Sequence, residues 1–298
     1  MLYDKNGNQV ISAFSKSGTA LLSAYDVNGR LVFSSNPPDY SDYSFVQKWA
    51  SKGISNTQGF DVYDGKVYWI SKSGNSSVNA SCYVWNLSDG SQAFSSQPIT
   101  IYSGHGNSLD IVYPKAYAGT AYSPATAYEN TLSADLQTFT LSKTFNLAED
   151  VTYGHDVCID ENEETIMWSL AHTGAIGSHN PFLLSKWDIT DLTNNGDGTY
   201  SPRLISSVST PNPSNSEYFQ GITMHDGMIW YASGYPNDQA YVYAVNPTTG
   251  AVMYSINCDT TAEPEGVAWV ADAEAVGGYA LYVGFQGMLL RKYTFGAL

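Results

Sequence analysis

Apolar and polar residues alternate with a period of two along most of this chain, in runs of five to eight residues. FDVYD (60–64), SLDIVYP (108–114), DVCIDE (156–161), ITMHD (222–226) and VAWVAD (267–272) are such runs. Each is followed by another: KVYWIS (66–71), a less regular AYAGTAYS (116–123), TIMWSLA (165–171), MIWYAS (228–233) and ALYVGF (280–285). Third runs include CYVWNL (82–87), FLLSKWDI (182–189), AYVYAV (240–245) and LLRKYTF (289–295). Alternation rich in Tyr, Trp, Val and Ile, broken by Asp-Gly and Thr-Gly turns, predicts β-strands. Little of the chain carries the 3.6-residue period of a helix.

The first run of each set has a recurring preface. Gln58-Gly59, His105-Gly106, Gly154-His155-Asp156, Gln220-Gly221 and Glu265-Gly266 stand about 48, 48, 66 and 45 residues apart. Repeats of four short strands at that spacing predict the blades of a β-propeller, here five. A sandwich gives no repeat with the same polar-glycine opening. The last set runs out at Leu298 one strand short, so a strand at about 43–50, from SDYSFVQKWASKGISNTQG, is expected to complete it and hide the open edges. The predicted fold is therefore all-β: a five-bladed propeller over 37–298, closed by an N-terminal strand.

Residues 1–36 stand outside that ring. YDKNGNQV (3–10) and YDVNGRLV (25–32) form their own repeat, and Asn-Gly between alternating runs is a strong hairpin signal. Two such hairpins cannot bury a core unaided, so they are expected to attach the chain to a partner or to further copies of itself. SSNPPDYSDY (34–43) reads as a stiff linker.

Composition narrows the functions. Among 298 residues, Asp and Glu number 28 against 13 Lys and Arg, a formal charge of -15. That field repels phosphate backbones and anionic headgroups, which argues against nucleic acid or membrane partners. No apolar run has the length of a membrane span, and MLYDKNGNQV lacks a hydrophobic signal core, so export by the usual peptide route is not expected. Cys82, Cys158 and Cys258 lie far apart and read as buried free thiols. No G-x-S-x-G, phosphate loop or dinucleotide fingerprint is present.

In a propeller the first strand of each blade lines the central channel. Gln58, His105, Asn107, His155, Asp156, Gln220 and Glu265 are thus expected at one mouth, with two readings open. They cap the channel by packing and hydrogen bonding, or they ring a pocket for a cation, a set of sugar hydroxyls or a phosphate ester. Tyrosines in the connectors, foremost Tyr153, Tyr218 and Tyr235 with Tyr102, Tyr113, Tyr117, Tyr122 and Tyr128, would supply stacking surfaces for sugars. Half of these tyrosines are expected in blade interfaces. Asp156 and Glu265 open non-neighbouring blades, which lets them face each other as the two carboxylates of a glycosidase.

Metal signals are slight. His172, His179 and Asn180 sit in a glycine-rich loop, and DITDLTNNGDGTYSP (188–202) departs from the spacing of a calcium loop, reading instead as a polar turn between outer strands. No cofactor is expected, a structural cation such as calcium being the one exception left open.

QGFDVYDGKVYW, QGITMHDGMIWYASG and EPEGVAWV resemble the five-bladed propellers of receptor-binding proteins from phages of Gram-positive bacteria. The N-terminal pair resembles hairpin modules that open tail-associated proteins of such phages. That resemblance implies a virion tail adhesin, released by host lysis, mounted as a trimer on other tail proteins through residues 1–36. Its ligand would be a bacterial cell-wall polysaccharide or teichoic acid. FQGITMHDGMIWYASG with YVYAVNPTTGAV is also similar to plant-type glutaminyl cyclases, five-bladed enzymes in which Glu265 would match the channel glutamate. The enzyme alternative is a propeller glycan hydrolase or cyclotransferase working through Asp156 and Glu265.

Overall fold

The computed structural model describes residues 38–72, 78–120, 125–147, 153–174, 180–213 and 218–297, together with the backbone of short N-terminal strands. These are β1 (Leu2–Tyr3) paired with β2 (Gln9–Val10), and β3 (Ser23–Tyr25) paired with β4 (Leu31–Ser34), both antiparallel. The Asn-Gly dipeptides between the paired strands lie outside the described residues. No described helix is long and apolar enough to cross a membrane.

From β5 (Pro38–Trp49) onward the chain is a series of antiparallel meanders. The first comprises β6 (Thr57–Tyr63), β7 (Lys66–Ser71), β8 (Asn79–Asn86) and β9 (Ile99–Tyr102). The second comprises β10 (Ser108–Val112), β11 (Lys115–Gly119), β12 (Thr126–Leu132) and β13 (Phe139–Asn146). Next come β14 (Tyr153–Asp160), β15 (Glu163–His172), β16 (Phe182–Asn194) and β17 (Tyr200–Thr210). They are followed by β18 (Phe219–His225), β19 (Met228–Ser233), β20 (Tyr241–Val245) and β21 (Val252–Asn257). The last meander has β22 (Pro264–Ala271), β23 (Tyr279–Phe285) and β24 (Leu289–Ala297), and β5 adds to β24 as its outer strand. A parallel bridge, Phe145↔Tyr200, joins the second and third meanders into one eight-stranded sheet.

The first strands of successive meanders pack in a closed circuit: β6 on β10, β10 on β14, β14 on β18, β18 on β22, and β22 back on β6. This is an all-β, propeller-type architecture. The alternating pattern explains the cores between meanders. Val157 and Ile159 face backwards into a cluster with Tyr117, Phe145 and Trp187. Cys158, between them, faces forwards into a cluster with Phe182, Phe219 and Tyr231. Trp49, Phe60, Trp69 and Tyr282 fill the seam between last and first meanders. Burying each such large side chain contributes on the order of 2–3 kcal/mol.

Two expectations shift in detail. The closing strand was expected at about 43–50 but begins at Pro38, so the proline-rich segment is strand for half its length rather than linker. The reason is Tyr40, 3% exposed, whose ring meets Trp230, Phe295 and Trp269 edge-on at 4.9, 5.1 and 5.8 Å. Proline is tolerated because it occupies the first position of an outer strand. Segment 188–202, expected as a polar turn, is strand over most of its length: β16 runs to Asn194 and β17 starts at Tyr200, so only 195–199 form the connection. Asp188 and Asp191 are engaged by Arg203 at 2.8 and 2.6 Å.

Candidate functional site at the channel

Inner strands in a circuit leave one backbone edge facing the axis, where no further strand pairs with it. Those N–H groups need other acceptors. Side chains of the preceding strand supply them: Asp61 Oδ2 to Ile111 N and Asp110 Oδ2 to Ile159 N, each 2.6 Å. Ser108 Oγ accepts from Val157 N at 2.7 Å, and Asp156 Oδ2 from Gly221 N at 2.6 Å. The glycines of the recurring prefaces then have a steric cause. A Cβ on Gly59 would lie 2.6 Å from Asn107 O, and one on Gly221 would lie 2.7 Å from Gly266 Cα. The prefaces are glycine because the strands crowd the axis.

The polar residues beside those glycines gather at the strand-entry end. Asn107, His155, Asp156, Gln220 and Glu265 are buried at 8%, 0%, 0%, 7% and 2% exposure, and Gln58 is half-buried. Asn107 Oδ1, both ring nitrogens of His155, Asp156 Oδ1, Gln220 Oε1, Glu265 Oε2 and Gln58 Oε1 have no protein partner. This differs from uniform capping, in which each polar atom would be satisfied by its neighbours. His105, half-buried in the turn before β10, is held through its backbone N to Thr120 Oγ1 at 3.4 Å.

Glu265 accepts from Thr57 Oγ1 through Oε1 at 3.2 Å. Burial, and next the charge of Glu263, raise its proton affinity well above the ordinary carboxylate range. Burial does the same to Asp156, against the opposing hydrogen bond from Gly221. Burial lowers His155 to about 4, with nearby His172 adding to the effect, and lowers His172 likewise to about 4, so both are neutral at physiological pH. Glu263 was missed by the sequence reading. It accepts from Gln220 Nε2 at 3.1 Å and Gln286 Nε2 at 3.4 Å. The alternation Glu263-Pro264-Glu265 puts both carboxyls on one side of an extended segment, a signal that was available in the sequence.

The tyrosines divide. Tyr218 and Tyr235 stack at 4.6 Å with 20° between planes, and Tyr235 is 46% exposed. The adjoining Gly234 abuts the Pro264 ring. The side chain of Tyr153 and the whole of Tyr122 and His179 lie outside the described residues. Of the six connector tyrosines whose side chains are described, Tyr117 and Tyr128 are buried and Tyr102 is half-buried. Tyr113 stacks on Tyr63 at the opposite end of the inner strands, 5.4 Å away. His172 stacks on Phe219 at 4.4 Å, a core histidine rather than a loop ligand. Among the described residues no group of three or more His, Cys, Asp or Glu is arranged to hold a metal ion. The three cysteines are buried and free.

At the strand-exit end lies a cavity of about 750 Å³, lined by Asp61, Asp110, Glu161 and Asp226 with Tyr40 and Trp269 among others. Its carboxylates are engaged in structure: Glu161 accepts from the Asp226 and Gly227 amides, and Asp226 from Tyr40 Oη.

No protein-family profile matches the sequence, and no curated protein matches it. Solved structures do. One is a GH43 glycoside hydrolase engineered for both endo-xylanase and exo-arabinofuranosidase activity, 12% identical, TM-score 0.45, covering 86% of this chain and 52% of that one. Another is an exo-β-1,3-galactanase from Phanerochaete chrysosporium with galactose, 13% identical, TM-score 0.46, covering 93% of this chain and 64% of that one. A structure of the same galactanase with β-1,3-galactotriose is 11% identical with a TM-score of 0.49 and 84% coverage of this chain. The chain spans about half to two-thirds of these neighbours' length.

The resemblance to phage receptor-binding proteins is corrected here. The structural neighbours are glycoside hydrolases, and no phage tail protein stands among these three. The viral, virion, tail-protein and host-adhesion readings go with it. The glycines of the motifs that carried the resemblance are demanded by crowding at the axis and by tight turns. They therefore report the fold and carry no lineage.

Proposed function

We propose that the chain is a five-bladed β-propeller that hydrolyses glycosidic bonds at the strand-entry end of its channel. One observation carries the reading: Asp156 and Glu265, from non-neighbouring strands, are both buried with one oxygen hydrogen-bonded and the other free. Gly221, which holds the Asp156 carboxyl, abuts Gly266, the residue after Glu265, so the two carboxyls belong to one locus.

Glycoside hydrolysis needs a carboxyl that gives a proton to the leaving oxygen and a second that takes one from the attacking water. Glu265 suits the first task, because burial and the neighbouring Glu263 keep it protonated. Asp156 would take the second task in its ionised form, which burial opposes and the Gly221 amide bond favours. The glycosidic C–O bond breaks as Glu265 protonates the departing oxygen; water adds to the anomeric carbon and passes its proton to Asp156. The Tyr218–Tyr235 pair offers a stacking face at the mouth.

The test measures released reducing ends from a panel of neutral polysaccharides. Glu265→Gln keeps the Thr57 contact and removes the proton, so turnover is expected to fall by about 10²–10⁴ with binding retained. Turnover unchanged in both Glu265→Gln and Asp156→Asn overturns the proposal.

A further inference from the structure

Four carboxyls on the wall of the exit-end cavity share one task. Asp61 of β6 accepts from the Ile111 amide of β10, and Asp110 of β10 accepts from the Ile159 amide of β14, each at 2.6 Å. Glu161, just after β14, accepts from the Asp226 and Gly227 amides, just after β18, at 3.1 and 2.6 Å. Asp226 accepts in turn from Tyr40 Oη on the closing strand β5 at 3.3 Å. Every seam from the first meander to the last is thus fastened at this end by a carboxyl of the preceding meander. The donors are amides and one hydroxyl, and no lysine or arginine lines the cavity. Asp61 and Asp110 also crowd each other. The Asp61 carboxyl is bound at the amide that directly follows Asp110, and both side chains are half-buried on the same wall. A neutral donor offsets part of the cost of a buried negative charge and supplies no counter-charge, while like charges sharing a site oppose each other's ionisation.

We propose that these carboxyls form a proton-dependent clasp, which holds the meanders together most firmly in mild acid, with Asp61 and Asp110 protonated, and weakens as rising pH forces both to ionise without a cation. Burial, and next the charge of Asp110, raise the proton affinity of Asp61 well above the ordinary carboxylate range. Burial raises Asp110 to about 6, against the opposing bond from the Ile159 amide. Glu161 is raised by burial too, against the Gly227 and Asp226 amides. A carboxyl with higher proton affinity in the folded chain contributes stability that is complete below 3.8 and is lost as pH rises through its folded value, about 6 for Asp110. The groups facing the clasp leave that sign in place. Tyr68, opposite Asp61 on β7, and Tyr117, opposite Asp110 on β11, are raised by burial and stay neutral, as does the Cys158 thiol on β14. His225, 3.7 Å from Glu161, is lowered by burial to about 3 and is neutral throughout. The other acids on the wall, Asp160, Glu164 and Asp226, bring no positive charge.

The clasp lies at the opposite end of the inner strands from the proposed hydrolytic site, and its test uses no turnover. Urea melts of the full chain, with chelator present, compare wild type with Asp110→Asn from pH 4 to 7. Asparagine keeps an oxygen for the Ile159 amide and cannot ionise. Buried histidines move the wild-type profile the other way, so the difference between the two proteins is what is read. A value of about 6 against 3.8 corresponds to roughly a 100-fold change in the unfolding constant. Relative to the variant, the wild-type constant should therefore rise about 100-fold across that range. Asp61→Asn should change in the same direction. A profile parallel to wild type in either variant overturns the clasp. Carbon-13 titration of the assigned Asp61 and Asp110 carboxyls in wild type reads the same groups without a substitution. Both should titrate at about pH 6 or above, and titration of both below about pH 5 overturns the clasp even where neither variant folds.

Discussion

Replacing Gly221 by alanine tests the crowding on which the channel depends, and a matched control exists in the same meander. Gly221 has φ +66°, and Gly227, in the Asp226-Gly227 turn, has φ +69°. The left-handed conformation costs a residue with a Cβ roughly 1–2 kcal/mol at either position. Surroundings separate them. A Cβ at 227 meets nothing within 4 Å, whereas one at 221 sits 2.7 Å from Gly266 Cα, backbone that has no flexible end to give way. Overpacking of that kind adds about 1–3 kcal/mol. Gly221→Ala is therefore expected to lose about 2 kcal/mol more than Gly227→Ala. With a urea m-value near 2 kcal/mol/M, the difference is about 1 M in the unfolding midpoint. It should also weaken turnover, because the Gly221 amide holds Asp156. Coincident midpoints for the two variants would refute the closed circuit of inner strands and, with it, the shared locus of Asp156 and Glu265.

Titration of His172 gives a second prediction. Its value of about 4 against an ordinary 6.5 corresponds to about 3 kcal/mol of stability, present above pH 6.5 and lost as pH falls towards 4. His172→Phe, which keeps the stacking on Phe219, should flatten the stability profile between pH 6.5 and 4 in urea melts; an unchanged slope would count against burial as the cause. Asp156 acts in the opposite sense: its raised proton affinity stabilises the fold below pH 3.8, and that contribution fades as pH rises. Asp156→Asn should accordingly gain on wild type as pH increases, read from the same melts. Tyr40→Ala should cost about 3–5 kcal/mol, since the ring is enclosed by Trp230, Trp269 and Phe295. A loss below 1 kcal/mol would mean that β5 does not close the last meander in solution. Cys82, Cys158 and Cys258 are all buried, with thiols pushed above the ordinary range (Cys258 to about 12), so a thiol reagent should label none until urea unfolds the chain.

Much of the fold was legible because a strand writes itself into the sequence. Period-two runs such as VYWIS alternate between two interfaces, and turns such as Asp64-Gly65 and Asp226-Gly227 mark reversals of the chain. Strand closure by the N-terminal segment was legible too, as arithmetic: the last meander was one strand short. Its true start at Pro38 was not, because Tyr40 is buried by rings that come from residues 230, 254, 269 and 295, about 190 or more positions away. The parallel bridge between β13 and β17 was invisible for the same reason, being a contact between outer edges with no local pattern. Cys158 shows the limit from the other side: alternation places it in a strand, but which neighbour it faces is decided by the ring.

The candidate site was half legible, and the missing half explains why lineage was misread. Gln58, Asn107, His155, Gln220 and Glu265 stand out in the sequence at the openings of the inner strands, and all are buried except Gln58, which is half-buried. What the sequence could not state is which polar atoms are already spent. Gln220 and Glu265 look alike as openings, yet the first gives its amide to Glu263 and the second takes a hydroxyl from Thr57, leaving one free oxygen on each. Glycine is fixed by crowding and the adjoining polar type is not. A resemblance built on Gln-Gly alone therefore reads the part of the motif that geometry dictates in any ring of this kind, while the chemistry resides in the part that varies from strand to strand.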